Sequence, residues 1–242
     1  MARYQAHAFV VGVHNWGEAD KIVQLYTAER GRVKAAAFGC RRPKSPLAAG
    51  LQLFNELDVT LSEGQRLDTV RTASIIRHPR KLSEDLLAMA YGSFVAECVT
   101  EFLPEKQPEP AVYDLLRGAF AAFETRNPRV TALIAVLQLM EYTGMQLSYE
   151  RCARCGKLLD GDAFFLESAG GALCTDCREP SAQPYPAALR QFFSSALAFR
   201  WDSEALITIT RKELLAAESI VIGYLQRLLG HPLRSLAFIQ AL

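Results

Sequence analysis

Alternation of apolar and polar residues governs the first third of the chain. Leu51, Leu53, Leu57, Val59 and Leu61 share one parity, the period of a strand with one buried face. The same rhythm marks residues 7–13, 21–27, 32–38 and 67–76, with Gly, Asn or Pro signals between them. Five short strands in about eighty residues predict a small closed or nearly closed barrel, and an OB-fold is the expected member of that class.

After Pro79 the apolar period lengthens to that of a helix. Ser83 is placed to cap a helix whose first turn holds Glu84 and Asp85 and whose stripe is Leu87, Tyr91, Phe94, Cys98 and Phe102. The proline-rich stretch 104–110 ends it. Pro110 fits the first position of a second helix, with Val112, Leu115, Leu116, Ala119, Phe120 and Phe123 on one side. Asn127 and Pro128 open a third, apolar nearly all round to Met140, which is therefore expected at the centre of a helical bundle. Pro184 and Pro186 lead into a helix over 187–200, rich in Phe192, Phe193, Leu197 and Phe199. A last helix opens on Thr210 and Glu213 at capping-box spacing, buries Leu214, Leu215, Ile222, Leu225 and Leu229, and stops at Gly230 and Pro232. The fold class is thus α+β: a barrel over 1–80, an α-helical domain over 81–150 and 180–242, and an insertion over 151–179.

That insertion carries the most specific chemistry. Cys152-x-x-Cys155 and Cys174-x-x-Cys177 are separated by 18 residues, the two-knuckle spacing of a tetrahedral Zn²⁺ site. Ala163 to Glu167 reads as a strand and 168–171 as the turn back to Leu173 and Cys174, so a short hairpin brings the knuckles together, and Gly156 supplies the sharp turn after the second ligand. The unit resembles a zinc ribbon. Four thiolates leave no open position, so the expected role of Zn²⁺ is structural. Neither pair opens a helix after a buried strand, as a redox dithiol would, and no His-x-Glu precedes the pairs, as a deaminase would require. Cys98 belongs to a helix core, and Cys40 lies in a basic loop.

Length and composition bound the rest. The chain has 242 residues, 50% of them hydrophobic, enough for one large domain or two to three small ones. Residues 1–7 lack the apolar core of an export signal, and the longest apolar run, 130–140, is too short to span a bilayer. A soluble protein of the reducing cytoplasm is expected, without a membrane partner. The net charge of +1 hides an asymmetry: residues 1–80 hold twelve Lys and Arg against seven Asp and Glu, leaving fifteen against nineteen for the remainder. The basic N-terminal third points to a polyanion.

Within 30–45 stand six cations, Arg30, Arg32, Lys34, Arg41, Arg42 and Lys44, and no acid. Arg32 and Lys34 share a strand face with Phe38, opposite Val33, Ala35 and Ala37. Cations beside an aromatic are how OB-folds hold single strands; Trp16 and Tyr26 are further stacking candidates or else barrel core. Arg32, Lys34, Arg41, Arg42 and Lys44 are the expected DNA contacts. Two other functions compete. A metal-dependent nuclease could use Glu18 and Asp20, which alternate onto one face but lack a third acidic or His partner. A protein-binding scaffold would lack the steep salt dependence of phosphate binding.

Several runs carry a family resemblance. Gly17-Glu18-Ala19-Asp20-Lys21-Ile22-Val23, Tyr26-Thr27, Gly31, then Phe38-Gly39-Cys40-Arg41-Arg42-Pro43-Lys44-Ser45, and the closing Leu229-Gly230-His231-Pro232-Leu233-Arg234-Ser235-Leu236, resemble the bacterial recombination-mediator family RecO, with the Cys quartet where zinc-bearing members place theirs. The resemblance implies an OB-fold, a helical domain and a zinc-binding insertion. It implies no enzyme but a cytoplasmic, nucleoid-associated mediator of DNA repair that binds and anneals single- and double-stranded DNA. With RecR, such a mediator helps load RecA on strands coated by SSB. It also implies a site for the acidic, Phe-ended SSB tail, for which the helix with Arg190, Phe192 and Phe193, or the last helix with Arg227, is the candidate.

Overall fold

Strands β1 (Arg3–Trp16), β2 (Asp20–Thr27), β3 (Gly31–Ala37), β4 (Glu56–Ser62) and β5 (Asp68–Arg77) close in the order β1-β2-β3-β5-β4, in a computed structural model that describes residues 2–240. This is an OB-like barrel. β1 serves two neighbours: residues 3–9 pair with β4 and residues 8–16 with β2, a register shift between Val10 and Gly12 bending the strand from one to the other. Closure comes from the parallel pairing of Ala35 and Ala36 on β3 with Asp68 and Thr69 on β5. Ala6, Ala8, Val10, Val23, Leu25, Val33, Ala35, Ala37, Leu57, Val59, Leu61 and Val70 point inward as one cluster.

The alternation at Leu51 and Leu53 has a different origin from that of β4. Residues 41–55 form successive turns, Leu51 N bonding Leu47 O at 3.0 Å and the Asn55 amide holding the carbonyls of Ala49 and Gly50. Leu47, Leu51 and Cys40 join the barrel core from this loop. Leu51 fills the barrel from a loop instead of lining a strand face, Leu53 is half-buried outside that cluster, and their shared parity is coincidental.

Helices follow in the expected order with three differences. A short α1 (Arg80–Glu84) contains Ser83, whose hydroxyl turns back to Pro79 O; the cap of α2 (Leu86–Phe102) is Asp85, its Oδ1 accepting from Ala88 N at 2.9 Å. The carboxylate two residues further on, immediately before α2, takes the capping position. α3 (Pro110–Ala122) begins on its proline as expected, and α4 (Pro128–Tyr142) is buried at every position from 131 to 140. α5 (Ala187–Leu197) stops before Arg200, and α6 (Arg211–Leu229) has both halves of its capping box and a left-handed Gly230. It is not the last helix. A seven-residue α7 (Arg234–Gln240) follows and packs on α2, where the Glu97 carboxylate accepts from Arg234 N, Ser235 N and Ser235 Oγ at 2.8, 2.8 and 2.6 Å. Seven residues are too few for the periodic signal that marks α6.

Contacts divide the chain into two compact units. The barrel, α1–α3 and α7 form one, and Arg129–Leu233 form the other. In the second unit Gln138 on α4 donates to the carbonyls of Ala196 and Phe199 and accepts from Trp201 Nε1, so one buried amide ties the bundle together.

Candidate nucleic-acid interface and metal centre

Register across β1, β2 and β3 fixes what the barrel presents outward. Phe9, Tyr26 and Arg32 form one row; Gly12, Gln24 and Lys34 the next; then His14, Ile22 and Ala36; then Trp16 and Asp20, with Phe38 just beyond β3. Helices cover the first row. Phe9 stacks on Tyr113 and Phe120 of α3 at 5.0 and 5.6 Å, and Tyr26 donates its hydroxyl to Glu109 O. The α2–α3 connection lies along β3, its Lys106 N bonding Arg32 O. Gly31 permits this approach: its φ is +66°, and a Cβ there would sit 2.1 Å from Gln107 O.

This arrangement divides the five expected cations. Arg32 donates to Leu103 O at 2.8 Å and faces Glu105, leaving its side chain 16% exposed. Lys34 lies 3.8 Å from the same Glu105 carboxylate but remains 46% exposed. Arg41, Arg42 and Lys44 are exposed, and no carboxylate pairs with them among the described residues. Their loop is pinned to the β1–β2 hairpin: Arg41 N bonds Ala19 O at 2.8 Å, its guanidinium reaches Gly17 O at 3.1 Å, and Gly39 N donates to Asp20 Oδ1 at 2.7 Å. Asp20 is thus engaged in shaping the loop, and among the described residues no third ligand joins Glu18 and Asp20 in a metal-holding group. Tyr26 is core. Trp16 is not: it and Phe38, 46% and 55% exposed, lean together with ring centroids 6.0 Å apart. The signal for this pair in the sequence is two aromatics on the outward parity of β1 and β3, both adjoining a turn.

The second site forms where β6 (Ala163–Leu166) and β7 (Gly171–Cys174) pair as the expected hairpin, its turn made by a 3₁₀ turn and a left-handed Gly170. A two-residue β8 (Gln183–Pro184) adds to β6. Cys174 ends β7, Cys177 follows one 3₁₀ turn later, and the opposite knuckle turns at Gly156, whose φ is +74°. All four sulfurs lie within 4.8 Å of one another, and Cys155 Sγ is 3.8 Å from Cys174 Sγ. A tetrahedral ion with metal–sulfur bonds of about 2.3 Å spaces its sulfurs by about 3.8 Å, so the donor set and its spacing fit a metal ion and are compatible with Zn²⁺. Burial opposes ionisation of Cys152, yet the backbone N–H groups of Cys174, Cys155 and Arg154 outweigh it and bring this thiol down to about 6. Cys177 is pushed up to about 12 by burial and then by the neighbouring sulfurs. One thiolate is stabilised and the next resisted, which is the electrostatic situation a bound cation relieves. Ion pairs Arg154–Glu179 and Lys157–Asp176 cross between the knuckles.

In α5, Phe192 and Phe193 are buried, and Arg190 is spent on the carbonyls of Tyr185 and Gly161. Beside them runs a groove of about 700 Å³, lined by Phe192, Phe199, Arg200, Leu206, Ile207 and Ile209 among others. No helix among the described residues is long and apolar enough to cross a membrane.

Residues 1–79 match the family Recombination protein O N terminal, and residues 83–237 match Recombination protein O C terminal. A DNA repair protein RecO of Bifidobacterium animalis subsp. lactis is 32% identical over 240 residues, covering 98% of both chains. That of a Nocardioides species is 34% identical over 245 residues, covering 98% of this chain and 99% of its own. That of Symbiobacterium thermophilum is 36% identical over 184 residues, 74% of this chain and 73% of its own. With both family halves in order on the barrel and on the helices that follow it, the chain belongs to the RecO family.

Proposed function

We propose that this chain is a mediator of DNA repair and recombination. It binds and anneals DNA through the barrel and, with RecR, helps load RecA onto strands coated by SSB. The observation that carries the reading is the uncovered outer half of the barrel, where Arg41, Arg42 and Lys44 stand exposed beside Lys34 while helices occupy the other half. The name DNA repair protein carried by its full-length relatives supports it. Annealing makes no covalent bond, so it needs only phosphate screening and two strands held in reach of each other. Arg32, bound to Leu103 O and Glu105, contributes positive field and positions the connection; the loop cations make the phosphate contacts. The place of action is the bacterial cytoplasm, at the nucleoid.

The quartet Cys152, Cys155, Cys174 and Cys177 holds one Zn²⁺ in a structural role: all four positions are thiolates and none is left for substrate. The acidic, Phe-ended SSB tail is assigned to the groove beside α5, where Leu206, Ile207 and Ile209 offer apolar surface and Arg200, ion-paired with Asp202, places a guanidinium at the rim. Leu206, 77% exposed, lines the same groove, and Leu206→Asp should abolish binding of a tail peptide in a low-salt titration without unfolding the protein.

The decisive experiment is binding of single strands by the purified protein across a salt series, with and without Mg²⁺. Steep salt dependence without turnover is expected. Changing Arg41, Arg42 and Lys44 together to Gln should lower the log–log slope by roughly 2, at about 0.7 per phosphate contact, and weaken all sequences alike because phosphates carry no base identity. An unchanged slope with the fold intact places the DNA elsewhere.

A further inference from the structure

The sheet face that carries the loop cations ends in two large aromatic rings that the fold leaves in water. Trp16 closes β1 and Phe38 follows β3, so each is two strands from the other, yet their rings meet over β2 at 6.0 Å with a tilt of 50°. Hydrophobic packing does not account for the pair, since 46% of Trp16 and 55% of Phe38 remain exposed while the barrel interior is filled by other residues. The backbone beneath is held still: Asp20 lies between the two in the same row, and its carboxylate fixes Gly39 N while Arg41 N bonds Ala19 O. The next row inward is His14, exposed, and Ile22, half-buried, after which comes Lys34. Apolar π-surface and cations therefore share one short track with no ion-paired acid on the loop that carries Arg41, Arg42 and Lys44.

We propose that Trp16 and Phe38 form a stacking platform for an unpaired nucleobase, and that this platform makes the barrel prefer single strands to duplex. The proposal rests on the reading that the loop cations bind DNA. Exposed aromatics beside phosphate-binding cations take bases by their π-faces, which a duplex keeps buried in its own stack. Duplex meets only the cations. A single strand meets both, and the added affinity is indifferent to sequence because every base has a face to offer. In annealing, such a platform holds a base out of its own strand's stack, where a complementary strand can reach it.

The test compares the wild-type protein with the double variant Trp16→Ala, Phe38→Ala on three probes: a thymidine homopolymer about 12 nucleotides long, within the site size of such barrels, an abasic strand of equal length, and a duplex. The double variant should bind the homopolymer about tenfold or more weakly, with affinity for the abasic strand and the duplex unchanged and the salt slope preserved. As a second readout, Trp16 is one of only two tryptophans, so in Trp201→Phe protein its fluorescence should be quenched by the homopolymer and not by the abasic strand. If Trp201→Phe does not fold, the difference between wild-type and Trp16→Phe signals gives the same quantity. Equal losses on homopolymer and abasic strand, no loss at all, or Trp16 fluorescence indifferent to bases would each overturn the platform. The last two outcomes, with salt-steep binding retained, leave the cationic site standing and exclude the pair from it. Wild-type protein that binds none of the probes overturns the DNA-binding reading itself.

Discussion

Glu218 on α6 receives both arms of the Arg129 guanidinium, at 2.9 and 2.6 Å, with its own side chain 7% exposed and that of Arg129 29% exposed. Removing the carboxylate leaves a cation in a poorly hydrated place, so Glu218→Ala should lower stability by about 2–3 kcal/mol, toward the low end for buried pairs because Arg129 retains some solvent. Denaturant unfolding measures this directly. A second carboxylate shows the opposite extreme. Glu213 is exposed, but hydrogen bonds from the Thr210 hydroxyl and then its backbone N–H hold its pKa below the ordinary value of 4.5. Since the folded value is the lower one, its contribution is complete above 4.5 and is lost as pH falls through the folded value. An NMR titration should find Glu213 below its ordinary value in the native protein and raised toward that value in Thr210→Ala, which loses the hydroxyl donor but keeps the backbone one.

At the scale of elements, the hairpin between the two cysteine pairs has little core of its own. β6 and β7 are four residues each, too short to be stable as an isolated pair. Metal analysis of protein purified under reducing conditions should give one Zn²⁺ per chain. Chelation should lower the melting temperature and expose the backbone of 152–177 to exchange, because the binding energy of an ion held by the quartet would be part of the folding energy. Cys174→Ser should do the same without chelator. This element was legible in the sequence because its signal is spacing, which survives any surroundings. The barrel was legible too, since period 2 over five segments leaves few alternatives. What could not be read was what tertiary packing decides. Arg32 has the same parity as Lys34, and only the α2–α3 connection, arriving from seventy residues away, sets one against Leu103 O and leaves the other half in water. Leu51 mimicked a strand position because a plug residue and a strand residue obey the same demand for burial. Trp16 shows the reverse case, an aromatic on the outward parity that no later element covers.

At the scale of the molecule, α7 is the element on which the most rests for its size. Its seven residues return to the first unit after the whole of Arg129–Leu233, and Glu97 on α2 meets them with three hydrogen bonds while Leu236 is buried. Glu97→Ala should destabilise the first unit by about 1–2 kcal/mol. Native-state hydrogen exchange should show the loss in α2 and α7, with protection in α4–α6 unchanged. A ribosome makes proteins from the N-terminal end, and domains fold as units while they emerge. Arg129–Leu233 is one continuous stretch and can fold as soon as it is outside the tunnel. The barrel unit is made first, yet its docking surface on α2 stays bare until α7 has emerged behind Arg129–Leu233, so the segment synthesised earliest waits for a helix that follows the whole second unit.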